Sequence, residues 1–210
     1  VSYTWQEVGG GGATGSGTFS GTKATITGLP ANAMIELKIF PINFQRIIIN
    51  VGTDRSRLVD VKQWGTVAWT SMENAFKGCD NLNITATDVP NLSGVTNMSS
   101  MFQYCSSFNQ PLPEGFNTAN VMNMKSLFSD CSAYNQALPS SFNTANVTDM
   151  SYMFRSCIAY NQALPSSFNT EKVTDMRFMF GGCTVYNQAL PSSFNTINVM
   201  DMSYMFSSYR

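Results

Sequence analysis

Apolar and polar residues follow a pattern that repeats with a 26-residue period along most of the chain. In one typical unit the apolar residues fall at positions i, i+3, i+6, i+7 and i+10, as Val147, Met150, Met153, Phe154 and Cys157. That spacing lays them on one side of a short α-helix or 3₁₀-helix, which we predict for this segment of each unit. The segment 134–138 is short and ends before Pro139, which favours a strand.

The period is carried by cysteine and phenylalanine residues. The five cysteines are evenly spaced by one period, and a phenylalanine column follows the same spacing: Cys79, Cys105, Cys131, Cys157 and Cys183, with Phe102, Phe128, Phe154 and Phe180. The units ending at Cys157 and Cys183 match at 19 of 26 positions. Repetition at this period is typical of stacked arrays, because one such unit cannot bury its apolar side alone. We predict an α/β solenoid with a short parallel sheet on one face, short helices on the other, and these columns inside.

Two domains are predicted. Residues 58–210 form the array of about six units, which stops in mid-unit at Arg210, so we expect a truncated array. Residues 1–57 have a glycine-rich, flexible start and three candidate strands, at 23–27, 35–39 and 44–49. A solenoid needs its open end covered, so we interpret this segment as a small β-sheet cap at the N-terminal end. An independent β-sandwich, cut at its start, is the alternative.

Composition removes several classes of function. Lys and Arg together number 12 against 13 acidic residues, for a net charge of −1, so the chain lacks the basic surface that nucleic acid needs. The absence of histidine excludes Ser-His-Asp and Cys-His nucleophiles and the commonest metal ligand. No apolar run is long enough to insert into a membrane, and no signal peptide is present in this sequence. We therefore expect no enzymatic activity, no cofactor and no metal site.

The cysteine column is best explained by packing. A free cysteine is a small apolar residue that is often fully buried, so the column is predicted to fill a narrow internal slot. Distance alone does not exclude disulfides between neighbouring units, but an odd number of equivalent cysteines argues against them. Zinc is disfavoured because no Cys-x-x-Cys pair is present.

An aromatic column and two amide columns are the candidate binding residues. The aromatic column is Phe108, Tyr134, Tyr160 and Tyr186, the glutamine column is Gln110, Gln136, Gln162 and Gln188, and an asparagine precedes each glutamine. Because side chains alternate faces along a strand, only one amide column is expected inside, and the sequence leaves open which one. An exposed amide column beside tyrosines would make a binding strip. The alternative is that these ladders only hold the units in register.

The units resemble the leucine-rich repeats of BspA-like surface proteins, whose pattern reads N-V-T-x-M-x-x-M-F-x-x-C followed by F-N-Q-x-L. Here it stands as Asn146-Val147-Thr148-Asp149-Met150-Ser151-Tyr152-Met153-Phe154-Arg155-Ser156-Cys157, then Tyr160-Asn161-Gln162-Ala163-Leu164. The resemblance implies a leucine-rich-repeat-like, right-handed coil in a bacterial protein that is secreted or displayed on the cell surface. It also implies cell adhesion through binding to a host matrix protein, a cell-surface protein or a polysaccharide.

The function expected from the sequence is therefore a surface-exposed adhesin or interaction module without catalysis. One alternative is a structural spacer that displays another domain. Another is an ice-binding surface built on the threonine column Thr118, Thr144, Thr170 and Thr196, which would have to be flat and exposed. The sequence carries no indication of oligomeric state.

Overall fold

The structure is a computed structural model that describes residues 1–21, 24–49 and 54–207. The chain divides into two compact modules, an N-terminal module, Val1–Gln45, and a repeat module, Arg46–Arg210. The boundary predicted at residues 57 and 58 marks the start of the 26-residue period and stays a prediction, as does the capping role.

The N-terminal module is built on a three-stranded antiparallel sheet. Its strands are β1 (Ser2–Glu7), β2 (Thr14–Thr18) and β3 (Ile35–Ile39), in the order β2-β1-β3. Only β3 coincides with a predicted strand. Residues 24–27 and 44–49 form no strand, and the first residue of the predicted strand 23–27 lies outside the described residues.

The glycine-rich start of the chain is part of this sheet. Gly9–Gly12 lie in the connection between β1 and β2, and Gly15 and Gly17 belong to β2. Gly15 is paired with Trp5 and Gly17 with Tyr3 across the sheet. A Cβ atom at Gly15 would lie 2.6 Å from the Trp5 indole, so the glycine makes room for the ring. The sequence does not predict β2, because this strand has no apolar side chain. It provides backbone pairing and room for the rings that face it.

The regular elements described in the repeat module are a 3₁₀-helix, Asp54–Arg57, and two short parallel strands, β4 (Asp60–Val61) and β5 (Asn83–Ile84). Each later unit is joined to the next by a single-residue parallel bridge between equivalent residues. The bridged residues are, in order, Asn97, Asn123, Asp149, Asp175 and Asp201. These bridges lie just before the methionine of each unit. The predicted strand at 134–138 is not formed, and its residues are irregular.

Turns take the place of the predicted helices. The N–H groups of Met150, Tyr152 and Phe154 donate to carbonyl oxygens of the next unit, at 3.0, 2.9 and 2.8 Å. The intervening N–H of Met153 closes a β-turn on the carbonyl of Met150, with φ of 61° at Tyr152. A positive φ at the third position is typical of a type II turn and interrupts a helix. Asp54–Arg57 is the single helix among the described residues, and no helix there has the length and apolarity of a membrane span.

The core of the repeat module consists of columns of equivalent residues. Val147, Met150, Met153, Phe154 and Cys157 have no exposed area, and their equivalents in the two neighbouring units are also buried, except for the half-buried Cys183. The phenylalanine rings stack along the column, with centroids 5.5 Å apart between Phe102 and Phe128. Each unit therefore depends on its neighbours for burial and for backbone hydrogen bonds. The handedness and the leucine-rich-repeat class stay predictions.

Candidate interaction surface

The cysteine column is a hydrogen-bonded ladder inside the core. Each thiol donates to the carbonyl oxygen of a residue in the preceding segment, as Cys157 does to Phe128 at 3.0 Å. All five cysteines are free. Burial raises the pKa of the Cys79 and Cys183 thiols to about 12, so both are protonated at neutral pH. A protonated thiol is a poor nucleophile and a poor metal ligand. The role that remains for the ladder is to hold units together through its hydrogen bonds.

The predicted aromatic binding column lies in the core, which corrects the sequence interpretation. Phe108, Tyr134 and Tyr160 have no exposed area, and Tyr186 is half-buried in the penultimate unit. The reason is packing against the phenylalanine column, since the rings of Phe128 and Tyr134 are nearly parallel with centroids 4.5 Å apart. These four residues therefore do not form an exposed strip.

Both amide columns are used for contacts between units. Asn109 Oδ1 accepts the N–H of Asn135 at 2.9 Å and the side-chain amide of Gln136 at 3.1 Å. The same pair of bonds joins Asn135 to the next unit and Asn161 to the one after it, through Gln162 and Gln188. Gln110 begins the column as a half-buried residue whose Oε1 accepts a long bond, 3.4 Å, from the N–H of Asn109. The glutamines thus hold the register of the units.

The threonine column is also internal. Thr118, Thr144 and Thr170 are fully buried, and their hydroxyls donate to carbonyl oxygens of the next unit at 2.6–2.7 Å. Thr196 is exposed in the last unit. Thr118, Thr144 and Thr170 therefore present no flat surface to a crystal lattice.

The side chains that differ between units form a surface feature. Each unit has a β-turn equivalent to the one that Met153 closes on Met150. Its third position is Ser100 and Ser126 in two units and an aromatic residue in the next three. We name this aromatic ridge after its members, Tyr152, Phe178 and Tyr204. The rings stack nearly parallel, with centroid distances of 5.2 Å and 4.7 Å. Tyr152 and Phe178 are half-buried, and Tyr204 is 63% exposed.

The turn geometry explains why these rings point outward. Each ridge residue has a positive φ, between 53° and 61°, at the turn position between two apolar residues of the columns. Its side chain is therefore directed away from the methionine and phenylalanine columns. Gly181 makes room for the ridge, since a Cβ atom there would lie 3.0 Å from Phe178 Cδ1.

Two arginines flank the ridge. The Arg155 guanidinium lies 6.0 Å from the centre of the Tyr152 ring, within range of a cation–π contact. Arg177 pairs with Asp175 at 3.0 Å and approaches Asp201 at 3.9 Å. Hydrogen bonds from Ser203, with a smaller contribution from Arg177, hold the pKa of Asp201 below its usual value. One ring of the ridge thus has an arginine over it, and an ion pair between Arg177 and Asp175 lies in the adjoining part of the chain.

The ridge exposes aromatic rings beside an arginine. In residues 1–21, 24–49 and 54–207, no group of three or more His, Cys, Asp or Glu residues is placed to hold a metal ion. The ridge cannot be predicted from the residue columns that repeat in every unit. The feature of the sequence that indicates the ridge is a position that changes from serine to an aromatic residue between otherwise similar units.

Comparison with known proteins gives a family but no activity. A family described as "Mycoplasma protein of unknown function, DUF285" matches residues 50–164 and, in a second overlapping match, 114–210. The two matches together span the repeat units. No curated protein matches the chain. No solved structure matches it either.

Proposed function

We propose, from the premise that this chain belongs to the DUF285 family of Mycoplasma proteins of unknown function, that it is a non-catalytic interaction module. In this proposal the aromatic ridge binds a host matrix protein, a cell-surface protein or a polysaccharide. The finer assignment, a BspA-like leucine-rich-repeat solenoid displayed on a cell surface or secreted, belongs to the same proposal.

The observation that carries the proposal is the change from serine to aromatic residues at one outward position. Ser100 and Ser126 fill the same turn position without a ring, so the turn itself does not need one. Exposed aromatic side chains cost solubility without a packing requirement, which is expected where they are used for binding. Internal ladders already hold the units together, so the ridge is free for another role.

The composition of the ridge also fits recognition. Tyrosine and arginine are enriched among the residues that dominate binding energy at interfaces. The Arg155 and Arg177 side chains are 36% and 40% exposed, so both reach the surface. Rings and arginines spaced by one repeat suit an extended partner with its own periodicity, because several weak contacts then act together.

The test is a binding assay with a ridge variant. We expect the full chain to bind at least one of collagen, fibronectin or hyaluronan immobilised on a sensor. The triple variant Tyr152→Ser, Phe178→Ser and Tyr204→Ser should weaken that binding at least about tenfold, the usual effect of removing a hot spot. Serine is chosen because the array itself has serine at this position in two earlier units.

Met122→Thr is the matched control. Met122 is 54% exposed on another column, where the later units have Thr148 and Thr174, so its replacement removes an exposed apolar group outside the ridge. The control variant should bind like the parent chain. Absence of binding to all three probes, or equal losses in both variants at unchanged melting temperature, would favour a structural spacer and contradict the proposal.

A further inference from the structure

A cleft lies beside β5, in the interior of the repeat module. Its volume is about 480 Å³, which is in the size range of ligand pockets. One wall is β5 with the residues that follow it, and includes Ile84 and Ala86. The other walls come from the next two units, at 111–114 and 137–139. We call this space the β5 cleft.

The edge of β5 that faces the next unit has unpaired backbone groups. The N–H groups of Asn83 and Thr85 donate to the carbonyl oxygens of Val59 and Val61 at 2.9 and 3.2 Å. Alternate residues of a strand in a parallel ladder bond to the same neighbour, so the N–H and C=O of Ile84 are directed to the opposite edge. Among the described residues, neither group of Ile84 has a partner on that side.

The next unit does not continue this sheet. Pro111 and Pro113 have no N–H group, so the segment between them lacks the donors of a third strand. Leu112 packs inward and is 5% exposed. The edge of β5 therefore stays open beside an apolar wall.

The asparagine ladder is interrupted at the same place. Between later units, the N–H of Asn135 donates to the side chain of Asn109 at 2.9 Å. The N–H of Asn109 instead has a long bond, 3.4 Å, to Gln110, and no bond to Asn83 is formed. The contact that holds register between later units is thus absent at the cleft.

The lining of the β5 cleft is apolar with one charge. Glu114 is the single charged residue among the described residues that line it. This side chain is exposed and accepts the Ser140 hydroxyl at 3.2 Å, and no ion pair between described residues includes it. A ligand complementary to the cleft therefore has an apolar group and a cation. The apolar lining includes Ile84, Ala86, Pro111, Leu112, Leu138 and Pro139.

We infer that the β5 cleft binds an extended segment of a partner protein, which adds to the open edge of β5 as a third strand. An apolar side chain of the segment fills the cleft, and a Lys or Arg side chain pairs with Glu114. In such strand addition, backbone bonds give affinity and side-chain pockets give specificity. Side chains two residues apart lie on one face of a strand, so one residue separates the apolar side chain from the basic one. This inference does not depend on the aromatic ridge.

The experiment measures binding of the full chain to a labelled peptide, acetyl-Thr-Val-Thr-Lys-Thr-amide, by fluorescence anisotropy. We expect saturable one-to-one binding. Glutamate in place of the peptide's lysine, or N-methylation of its second and third residues, should weaken binding at least about tenfold, because the first change repels Glu114 and the second blocks pairing with β5. Amide hydrogen exchange at Ile84 should slow at least about tenfold in the complex, because its N–H gains an acceptor.

Two pairs of variants locate the site. Glu114→Gln should weaken binding of the lysine peptide at least about tenfold, and Glu171→Gln, at an exposed glutamate outside the cleft, is its matched control. Ala137→Trp should block the cleft and abolish binding. Its matched control is Ala189→Trp, at the equivalent exposed position two units later, which should bind like the parent chain.

Several results would overturn the inference. No saturable binding of the lysine peptide, equal effects within either pair of variants, or unchanged exchange at Ile84 in the complex would each contradict it. Butylammonium that binds as tightly as the peptide would assign the cleft to a small cation instead. Self-association of the parent chain that Ala137→Trp abolishes would assign it to a second copy. The triple serine variant of the ridge should bind the peptide like the parent chain, so this test and the test of the ridge fail separately.

Discussion

The thiol of Cys131 donates its hydrogen to the carbonyl oxygen of Phe102, 2.9 Å away in the preceding unit. The same oxygen accepts the N–H of Cys105 at 3.0 Å, so two donors share it. Cysteine at this slot thus supplies both apolar volume and a donor between units. This explains the column better than packing alone, because alanine or valine would offer no donor.

Substitution of Cys131 tests this role. Cys131→Ala should lower the free energy of unfolding by about 1.5–3 kcal/mol, because it removes a buried group and a hydrogen bond together. Cys131→Ser should cost less than alanine, because its hydroxyl still donates to the Phe102 oxygen. Urea unfolding of the three proteins measures the order. A serine variant less stable than the alanine variant would contradict a donor role for the thiol.

Stability should fall at alkaline pH. Burial raises the pKa of Cys79 and Cys183 from 9.0 to about 12. The unfolded chain therefore releases these protons near pH 9 while the folded protein keeps them, so the stabilisation is complete below pH 9 and is lost as pH rises toward 12. Each thiol should remove about 1.4 kcal/mol per pH unit in that window.

The measurement is the urea midpoint between pH 7 and pH 11. We expect a plateau up to about pH 9, the thiol pKa of the unfolded chain, followed by a steep fall. A chain with Cys183→Ala should show a shallower fall. An unchanged midpoint up to pH 11, or an unchanged slope in that variant, would show that the thiols are not held protonated by burial.

The buried tyrosine hydroxyls are a cost to stability. Tyr134, Tyr160 and Tyr186 have buried hydroxyl oxygens without a hydrogen-bond partner among the described residues, whereas Phe108 fills the same column without a hydroxyl. Tyr160→Phe should therefore raise the free energy of unfolding by about 1 kcal/mol, and Phe108→Tyr should lower it by a similar amount. Thermal unfolding of the two variants measures both. A loss of stability in Tyr160→Phe would reveal a partner for the hydroxyl in solution.

Positive φ angles should favour glycine in the turns. Ser156 has a φ of 57°, and the equivalent residue in the next unit is Gly182, with a φ of 79°. Ser156→Gly should raise the free energy of unfolding by about 0.5 kcal/mol, and Gly182→Val should lower it by about 1–2 kcal/mol. Ser166→Gly, at an exposed position without a positive φ, should instead be slightly destabilising. Equal effects of glycine at 156 and 166 would argue against the turn geometry.

The sequence was sufficient for the spacing of the units and for the apolar slots of Val147, Met150, Phe154 and Cys157. It was not sufficient to predict the local backbone conformation. Apolar residues at i, i+3, i+6, i+7 and i+10 fit one side of a helix and also fit a series of turns. The difference depends on where the N–H groups of Met150 and Tyr152 find acceptors, and those acceptors lie in the next unit of the array.

The candidate site shows the same limit. Tyr134 is amphipathic, which favours a binding strip beside an exposed amide column, but its ring packs on Phe128 because the turns bring the two columns together. Tyr152 was grouped with the helix, although its positive φ turns the side chain outward. Strand alternation, from which the sequence predicts buried and exposed side chains, does not apply to a chain of turns.

The most direct test of this account is a measurement of which carbonyl each alternate N–H contacts. In a deuterated, isotope-labelled sample, NMR couplings through hydrogen bonds should join the nitrogens of Met150, Tyr152 and Phe154 to the carbonyl carbons of Asp175, Arg177 and Met179. Those couplings would establish that successive units are bonded rung to rung. Couplings from the same nitrogens to carbonyls one helical turn earlier in the chain would instead reveal helices, and both the ladders and the ridge would be contradicted.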